Sequence, residues 1–420
     1  MRVIIVGSGL LGVTSAWFLS KQGHEVTVLD RAEGVARATS FANAGMLTPS
    51  MADPWNAPGV FGQLLHYLGK EDAPLLLRPR ALPSILGWGI KFLAHSRPEK
   101  FRANMAANLR LASYSLEVMR QLREQLSLAY DQKTAGTLRI FRDARSFQES
   151  VARLEILAGF GLKPETLMPD AVIRLEPALT PLRDALVGGI LCAEDESGDA
   201  RQFTEALADQ ARAAGVEFRF GVDVSGFQHD RQKISAVITN SGPLAADAVV
   251  MAAGPWSPLL LRRLGIRLPV RPVKGYSITV DTGNWAAQPA LPVIDDALHA
   301  AITPLGQRLR VAGTAEFAGY DHRLSPSRIE NLYSLLLGIY PCFAPHLDRT
   351  RANPWTGLRP VSADGVPYIG QLKFDNLYLN TGHGHLGWTL AAGSAKLLAA
   401  LMSGQAPDIN LQPYRANRCQ

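Results

Sequence analysis

VIIVGSGLLGVTSAWFLSKQGHEVTVLD, residues 3–30, reads as a strand, a glycine-rich turn, a helix, a second strand and a terminal acid. Gly7, Gly9 and Gly12 stand at G-x-G-x-x-G spacing in the turn. Gly7 permits the tight turn, Gly9 lets backbone approach a pyrophosphate, and Gly12 lets the helix lie close to the strand. The helix, expected over Leu11 to Lys21, turns its unpaired N–H groups and positive dipole end towards phosphates. Asp30 is placed to accept from a ribose hydroxyl. A glycine triplet alone says little. The apolar run before it, the helix after it and the acid closing VTVLD argue for a dinucleotide site over a ligand-free βαβ unit.

Outward from this stretch, 420 residues exceed what one hydrophobic core serves, so two intertwined domains are expected. No run of about 18 apolar residues occurs and the first residues already form a core strand. The expectation is a cytoplasmic protein without a membrane span or signal peptide. Cys192, Cys342 and Cys419 are widely separated with no CxxC, which argues against disulfides, a zinc site or a redox dithiol. The net charge of +6 is modest and scattered, with no nucleic-acid-reading motif, and suits an anionic substrate or an acidic membrane surface better.

The periodicities alternate between fold types. A long amphipathic helix is expected over about 102–126, and further helices over 152–160, 203–213 (capped by Asp199 or a neighbour) and 329–339. Strands are expected at 136–141, 216–220, 234–239, 248–252, 276–280, 300–303 and 308–312. The chain enters, leaves and re-enters a nucleotide fold. This gives an α/β class with an α+β substrate domain: residues 1–60, 198–268 and 350–420 form the nucleotide domain, and 61–197 and 269–349 the substrate domain with a helical excursion. Glu194, Asp195 and Glu196 lack calcium-loop spacing and read as a solvated turn.

Two more segments bear on which nucleotide is bound. The strand ending AVVMAAGPWS supplies a backbone nearly bare of side chains at Ala253 and Gly254. TGHGHLGWT, with Gly382, Gly384 and Gly387, opens a helix over about 386–401 whose N-terminus offers orphan donors and positive charge. A nicotinamide needs no second helix end. A reduced flavin, which carries negative charge on its ring, does, so FAD is preferred to NAD.

Taken together, GSGLLG with Asp30, ATSFANAG, AAGPWS, KGYS, WTGLRPVSADGVPYIG and LNTGHGHLGWT resemble the FAD-dependent D-amino acid dehydrogenases of bacteria (small-subunit type), within the wider D-amino acid oxidase and glycine oxidase group. The resemblance covers nearly the whole chain in order. It implies a glutathione-reductase-type Rossmann FAD-binding domain interleaved with a D-amino acid oxidase-like mixed-sheet substrate domain, and electrons passed to a quinone or the respiratory chain.

By the same resemblance, Gly7, Gly9 and Gly12 hold the pyrophosphate, Asp30 and Arg31 the adenosine end, and the backbone of Val224 the adenine. Ser40, Asn43, Ala44, Gly45 and Met46 run beside the pyrophosphate and flavin. Gly382, Gly384, His385, Leu386, Gly387 and Trp388 border the ring, and Ala253, Gly254, Gly357 and Thr389 are further cofactor-binding residues. Arg359 grips the substrate carboxylate with a planar fork that stays charged at working pH. Its bland reading is a loop salt bridge, for instance with Asp364. Tyr276 either donates to that carboxylate, with Met46 nearby, or is an ordinary strand tyrosine. His383 and His385 have no acidic neighbours to make a metal site; His385 contacts the flavin carbonyls or shapes the turn.

The implied reaction is oxidative deamination of a D-amino acid such as D-alanine, D-proline or D-hydroxyproline, by hydride transfer to flavin N5. An oxidase of the same fold and a flavin-bearing assembly protein without turnover stand as alternatives. Ser362 and Ala363, where the family commonly has Thr-Pro, together with Met46 and Thr48, leave substrate preference open. Finally, ALPSILGWGIKFL, residues 81–93, is apolar with basic flanks. It reads as a peripheral membrane contact or as an ordinary buried helix, and Pro83, Gly87 and Gly89 argue against a continuous one.

Overall fold

The structure is a computed structural model that describes residues 1–67, 70–71 and 73–418; Cys419 lies outside the described residues. A six-stranded sheet runs in the order Tyr368–Gln371, Leu377–Thr381, Ala248–Met251, Arg2–Val6, Glu25–Leu29, Glu217–Arg219. All its pairings are parallel except that of the edge strand Tyr368–Gln371. Parallel strands need cover on both faces, and the side chains divide accordingly. Val3, Ile5, Val26, Val28 and Val250 pack into one buried cluster with the helices Leu10–Lys21, Pro98–Gln125, Ala200–Ala213 and Gly387–Met402. Ile4, Val6, Leu29, Val249 and Met251 face the opposite cluster, covered by a three-stranded antiparallel sheet that contributes Val224, Ile234 and Val237.

The second body is a nine-stranded, mostly antiparallel sheet. Its order is Asn353–Ser362, Val270–Asp281, Arg308–Phe317, Ala300–Leu305, Val293–Asp295, Thr137–Phe141, Gly188–Cys192, Pro164–Leu167, with Leu75–Leu77 paired to Arg308–Phe317. Asn353–Ser362 thus lies in the sheet of the substrate-side segments, although it falls within 350–420. It is the edge strand of that sheet, and it carries Arg359.

Three local expectations change. In place of one helix over 152–160 there are two, Ala144–Val151 and Leu154–Ala158. Asp143 starts the first by accepting from Ser146 N at 2.8 Å. Residues Leu82–Ala94 form a continuous helix: Pro83 sits in its first turn, where no N–H is needed, and Ile85, Trp88 and Phe92 bury one face. Trp88, within the segment that read as a membrane contact or a buried helix, is 4% exposed and donates from Nε1 to Val361 O, as the buried-helix alternative has it. The acidic stretch is not solvated either. Asp195 is fully buried, accepting from Ser50 Oγ at 2.5 Å and Thr137 Oγ1 at 2.7 Å, and Glu196 is buried against Arg120 and Arg123. Asp199 caps Ala200–Ala213 as expected.

Candidate active site

A cavity of about 810 Å³ opens between the two bodies, at the carboxyl ends of the parallel strands, where α/β sheets bind ligands. The turn at its floor explains the first glycine motif. A Cβ on Gly12 would lie 1.8 Å from Gly7 O, and one on Gly7, whose φ is +110°, would lie 2.6 Å from Ala252 O. Gly9 lines the cavity, with only Ser40 Oγ near its missing Cβ. The N-cap residue Gly9 offers no side chain to the helix Leu10–Lys21; Ser40 Oγ accepts from Leu10 N at 3.0 Å, and Gly9, Leu10 and Leu11 line the cavity at this helix end.

Asp30 lines the same end. Its Oδ2 accepts from Ser8 N and Ser8 Oγ at 2.6 and 2.8 Å, and its Oδ1 from Ala32 N at 2.9 Å. A carboxylate has about four acceptor sites, so one is left for a ribose hydroxyl. Arg31 lies over the Trp256 ring at 4.1 Å, and Trp256 stacks on His322 at 5.6 Å. Arg31, Arg37 and Arg263 all line the cavity and make no ion pair among the described residues. Arg37, Arg263 and His322 carried no motif signal, since each is brought in by tertiary packing; Trp256 stood in the AAGPWS motif without being singled out.

Ser40, Asn43, Ala44, Met46, Val224, Ala253 and Gly254 line the middle of the cavity. Gly357, Gly384, His385, Leu386, Gly387, Trp388 and Thr389 line its far end, at the second uncapped helix, Gly387–Met402. Three expected residues stand behind the wall. Gly12 packs on Gly7, Gly45 (φ +74°) turns against Gly198, and Gly382 (φ +83°) sits against Tyr368.

Facing that end, Arg359 lines the cavity with a buried Nη1 that has no partner. It does not pair with Asp364, which is bound by Arg418 instead. Burial pushes the Arg359 guanidinium down to about 10. Its nearest aromatic support is Trp55, 5.6 Å from guanidinium carbon to ring centroid, and Trp55 stacks in turn on His385 at 5.0 Å and 14°. The His385 ring is accessible from the cavity yet enclosed by protein. Burial first, and then the charge of Arg359, hold it down to about 3, against a hydrogen bond with the Met51 backbone. His385 is therefore neutral in the working range. His383 is buried and bonds Ser394 Oγ through Nε2 at 2.9 Å.

Tyr276 lines the cavity with its ring, but its hydroxyl donates to Glu316 Oε2 at 2.5 Å, and Arg78 Nε donates to Glu316 Oε1 at 2.7 Å. Burial and the neighbouring Glu316 push the phenol upward. In this geometry its hydroxyl proton is engaged by Glu316. No group of His, Cys, Asp and Glu able to hold a metal occurs among the described residues.

The cavity fits FAD on its own terms: two uncapped helix ends, a ribose acceptor, three unpaired guanidiniums and a volume suited to a dinucleotide. The fold and site are those of an FAD-dependent oxidoreductase, and the chain belongs to that family, whose description, "FAD dependent oxidoreductase", matches residues 2–401. FAD is its cofactor. The chain is 43% identical over 419 residues to the D-amino acid dehydrogenase of Paramagnetospirillum magneticum, covering 100% of this chain and 99% of the relative. It is 44% identical over 413 residues to that of Dechloromonas aromatica, covering 97% and 98%. Among solved structures it shares its fold with L-proline dehydrogenase from P. horikoshii (TM-score 0.78, 19% identity, 100% and 97% covered). Glycine oxidase from Geobacillus kaustophilus is also similar (TM-score 0.77, 23% identity, 99% of each chain).

Proposed function

We propose that the protein is an FAD-dependent D-amino acid dehydrogenase, with Arg359 as the substrate-carboxylate anchor. The observation that carries this is the buried, unpartnered Nη1 of Arg359 at the end of the cavity where the second helix begins. A carboxylate is the ligand that a buried guanidinium fork pairs with best. The names of the relatives at 43–44% identity supply the substrate class.

Gly7, Gly9, Asp30, Ser40 and the helix Leu10–Lys21 would hold the dinucleotide moiety. Gly384, Leu386 and the N-terminus of Gly387–Met402 would border the ring. Bound FAD supplies a two-electron acceptor for the α-hydrogen of the amino acid, taken as hydride. The chain's own part is binding, orientation and exclusion of water. Arg359 fixes the carboxylate, Trp55 and His385 form a flat neutral wall, and the positive helix end stabilises negative charge. No general base is required of His385, which stays uncharged. The Tyr276 ring closes the pocket while Glu316 holds its hydroxyl. The imino acid product hydrolyses to a 2-oxo acid and ammonia. The division into a nucleotide unit and a substrate unit meeting at Arg359 is part of this reading, as is a quinone or other respiratory acceptor.

Membrane contact belongs to the same reading, through a different face from the one Trp88 suggested. Leu82, Leu86 and Ile90 are 45%, 66% and 64% exposed on the outer side of the helix Leu82–Ala94, flanked by exposed Arg80, Lys91, Arg97 and Lys100. That is the composition of an interfacial helix on an anionic bilayer. Anaerobic bleaching of flavin absorbance by a panel of D- and L-amino acids tests the activity. Rapid bleaching by D-enantiomers alone is expected, and none by any amino acid would overturn the assignment.

A further inference from the structure

A second cavity, of about 50 Å³, lies beyond Met51, a residue that lines both it and the main cavity. Its walls come from the strands Thr137–Phe141 and Gly188–Cys192 and the two short helices Ala144–Val151 and Leu154–Ala158. Most of its polar groups are already paired. Ser50 and Thr137 hydroxyls donate to Asp195, and Arg153 Nε donates to Glu149 O at 3.2 Å.

Two groups have polar atoms without a hydrogen-bond partner among the described residues. Arg139 pairs with Asp296 through Nη2, which leaves its Nε buried with no acceptor. Asp53 makes no hydrogen bond among the described residues, and burial raises its carboxyl despite the charges of Arg153 and Arg139 nearby. The cavity is therefore lined by Arg139, whose Nε has no acceptor, by Arg153, which makes no ion pair among the described residues, and by the half-buried Asp53 carboxylate, with Met105, Leu157 and Ile190 between them. Two cationic groups and one carboxylate on one cavity wall are complementary to a ligand that carries both charges.

We propose that this chamber binds an α-amino acid zwitterion as a second site, with its carboxylate towards Arg139 and Arg153 and its ammonium on Asp53. The volume of about 50 Å³ holds roughly three to five waters at 10–15 Å³ each, which suits a ligand of glycine or alanine size. The chemistry differs from the main cavity, where Arg359 has no carboxylate beside it. The chamber takes the charged ammonium form that dominates in solution. Its occupant abuts Met51, whose backbone bonds His385, so occupancy bears on the wall of the catalytic cavity.

The choice of amino acid probe rests on the activity proposed above. The test is equilibrium dialysis of radiolabelled D-alanine against the FAD-loaded enzyme, held reduced by dithionite without air so that the probe is not consumed. Two bound molecules per chain are expected for the wild type, and one for D-phenylalanine. Asp53→Asn should bind one D-alanine, with its flavin spectrum and substrate bleaching amplitude kept; Arg153→Ala serves if that variant fails to fold. A wild type and an Asp53→Asn variant that bind the same number of D-alanine molecules overturn the proposal. Failure of D-alanine to bleach oxidised flavin would instead defeat the activity reading, and the loss of one bound molecule on Asp53→Asn is expected in either case.

Discussion

Replacing Arg359 by methionine, similar in length and uncharged, should have two opposite effects. A guanidinium held at about 10 rather than 12.5 carries a burial cost of at most about 3 kcal/mol. Cavity water and the Trp55 face reduce that to about 1–2 kcal/mol. The substrate-free variant should therefore melt one to a few degrees above wild type. Substrate binding should move the other way. Truncating one partner of a buried, hydrogen-bonded charge pair costs about 2–5 kcal/mol, or roughly 30- to 5,000-fold in affinity. The assay is anaerobic rapid mixing with D-alanine. The concentration dependence of flavin bleaching gives the dissociation constant, and its plateau gives the reduction rate. The carboxamide of D-alanine, which has no carboxylate, should lose far less. A dissociation constant for D-alanine within threefold of wild type, or an equal loss for the carboxamide, would refute the anchor.

Gly12→Ala should give protein that fails to retain FAD, checked by the flavin-to-protein absorbance ratio, because its Cβ would meet Gly7 O at 1.8 Å. Asp195, pushed up to about 6 by burial, binds its proton more tightly folded than unfolded. Its contribution therefore makes stability fall as pH rises from about 4 to about 6, and Asp195→Asn should flatten the melting temperature across that window while lowering it overall through weakened bonds to Ser50 and Thr137. Ile90→Glu with Leu86→Glu should reduce co-sedimentation with anionic vesicles and keep FAD. Trp88→Glu should instead yield unstable protein, since it would bury a charge beside Phe92 and Phe317.

The nucleotide half was legible because its signals are local. A strand, three glycines at fixed spacing, a helix and an acid are contiguous; Gly12 is demanded by Gly7 O within that unit, and Gly7 by its own φ of +110°. The continuity of Leu82–Ala94, though not its burial, was misread for the complementary reason. Its proline and glycines lower helix propensity by amounts that burial of Ile85, Trp88 and Phe92 exceeds, and sequence does not say which apolar side turns inward. Asp195 and Glu196 looked solvated because their partners lie 145 and 73 residues away, at Ser50 and Arg123.

The sequence by itself determined the class of fold, the dinucleotide turn, the flavin and the candidacy of Arg359, since each rests on residues adjacent along the chain or on a family's ordered motifs. Only the tertiary structure decided that Arg359 Nη1 has no hydrogen-bond partner among the described residues, that the Tyr276 hydroxyl donates its hydrogen bond to Glu316, that Trp55 lies between Arg359 and His385, and that Asp53 and Arg139 line a second cavity. Pairing and burial are properties of groups brought together from distant segments, and their free energies depend on a local dielectric that exists only once both sheets have packed.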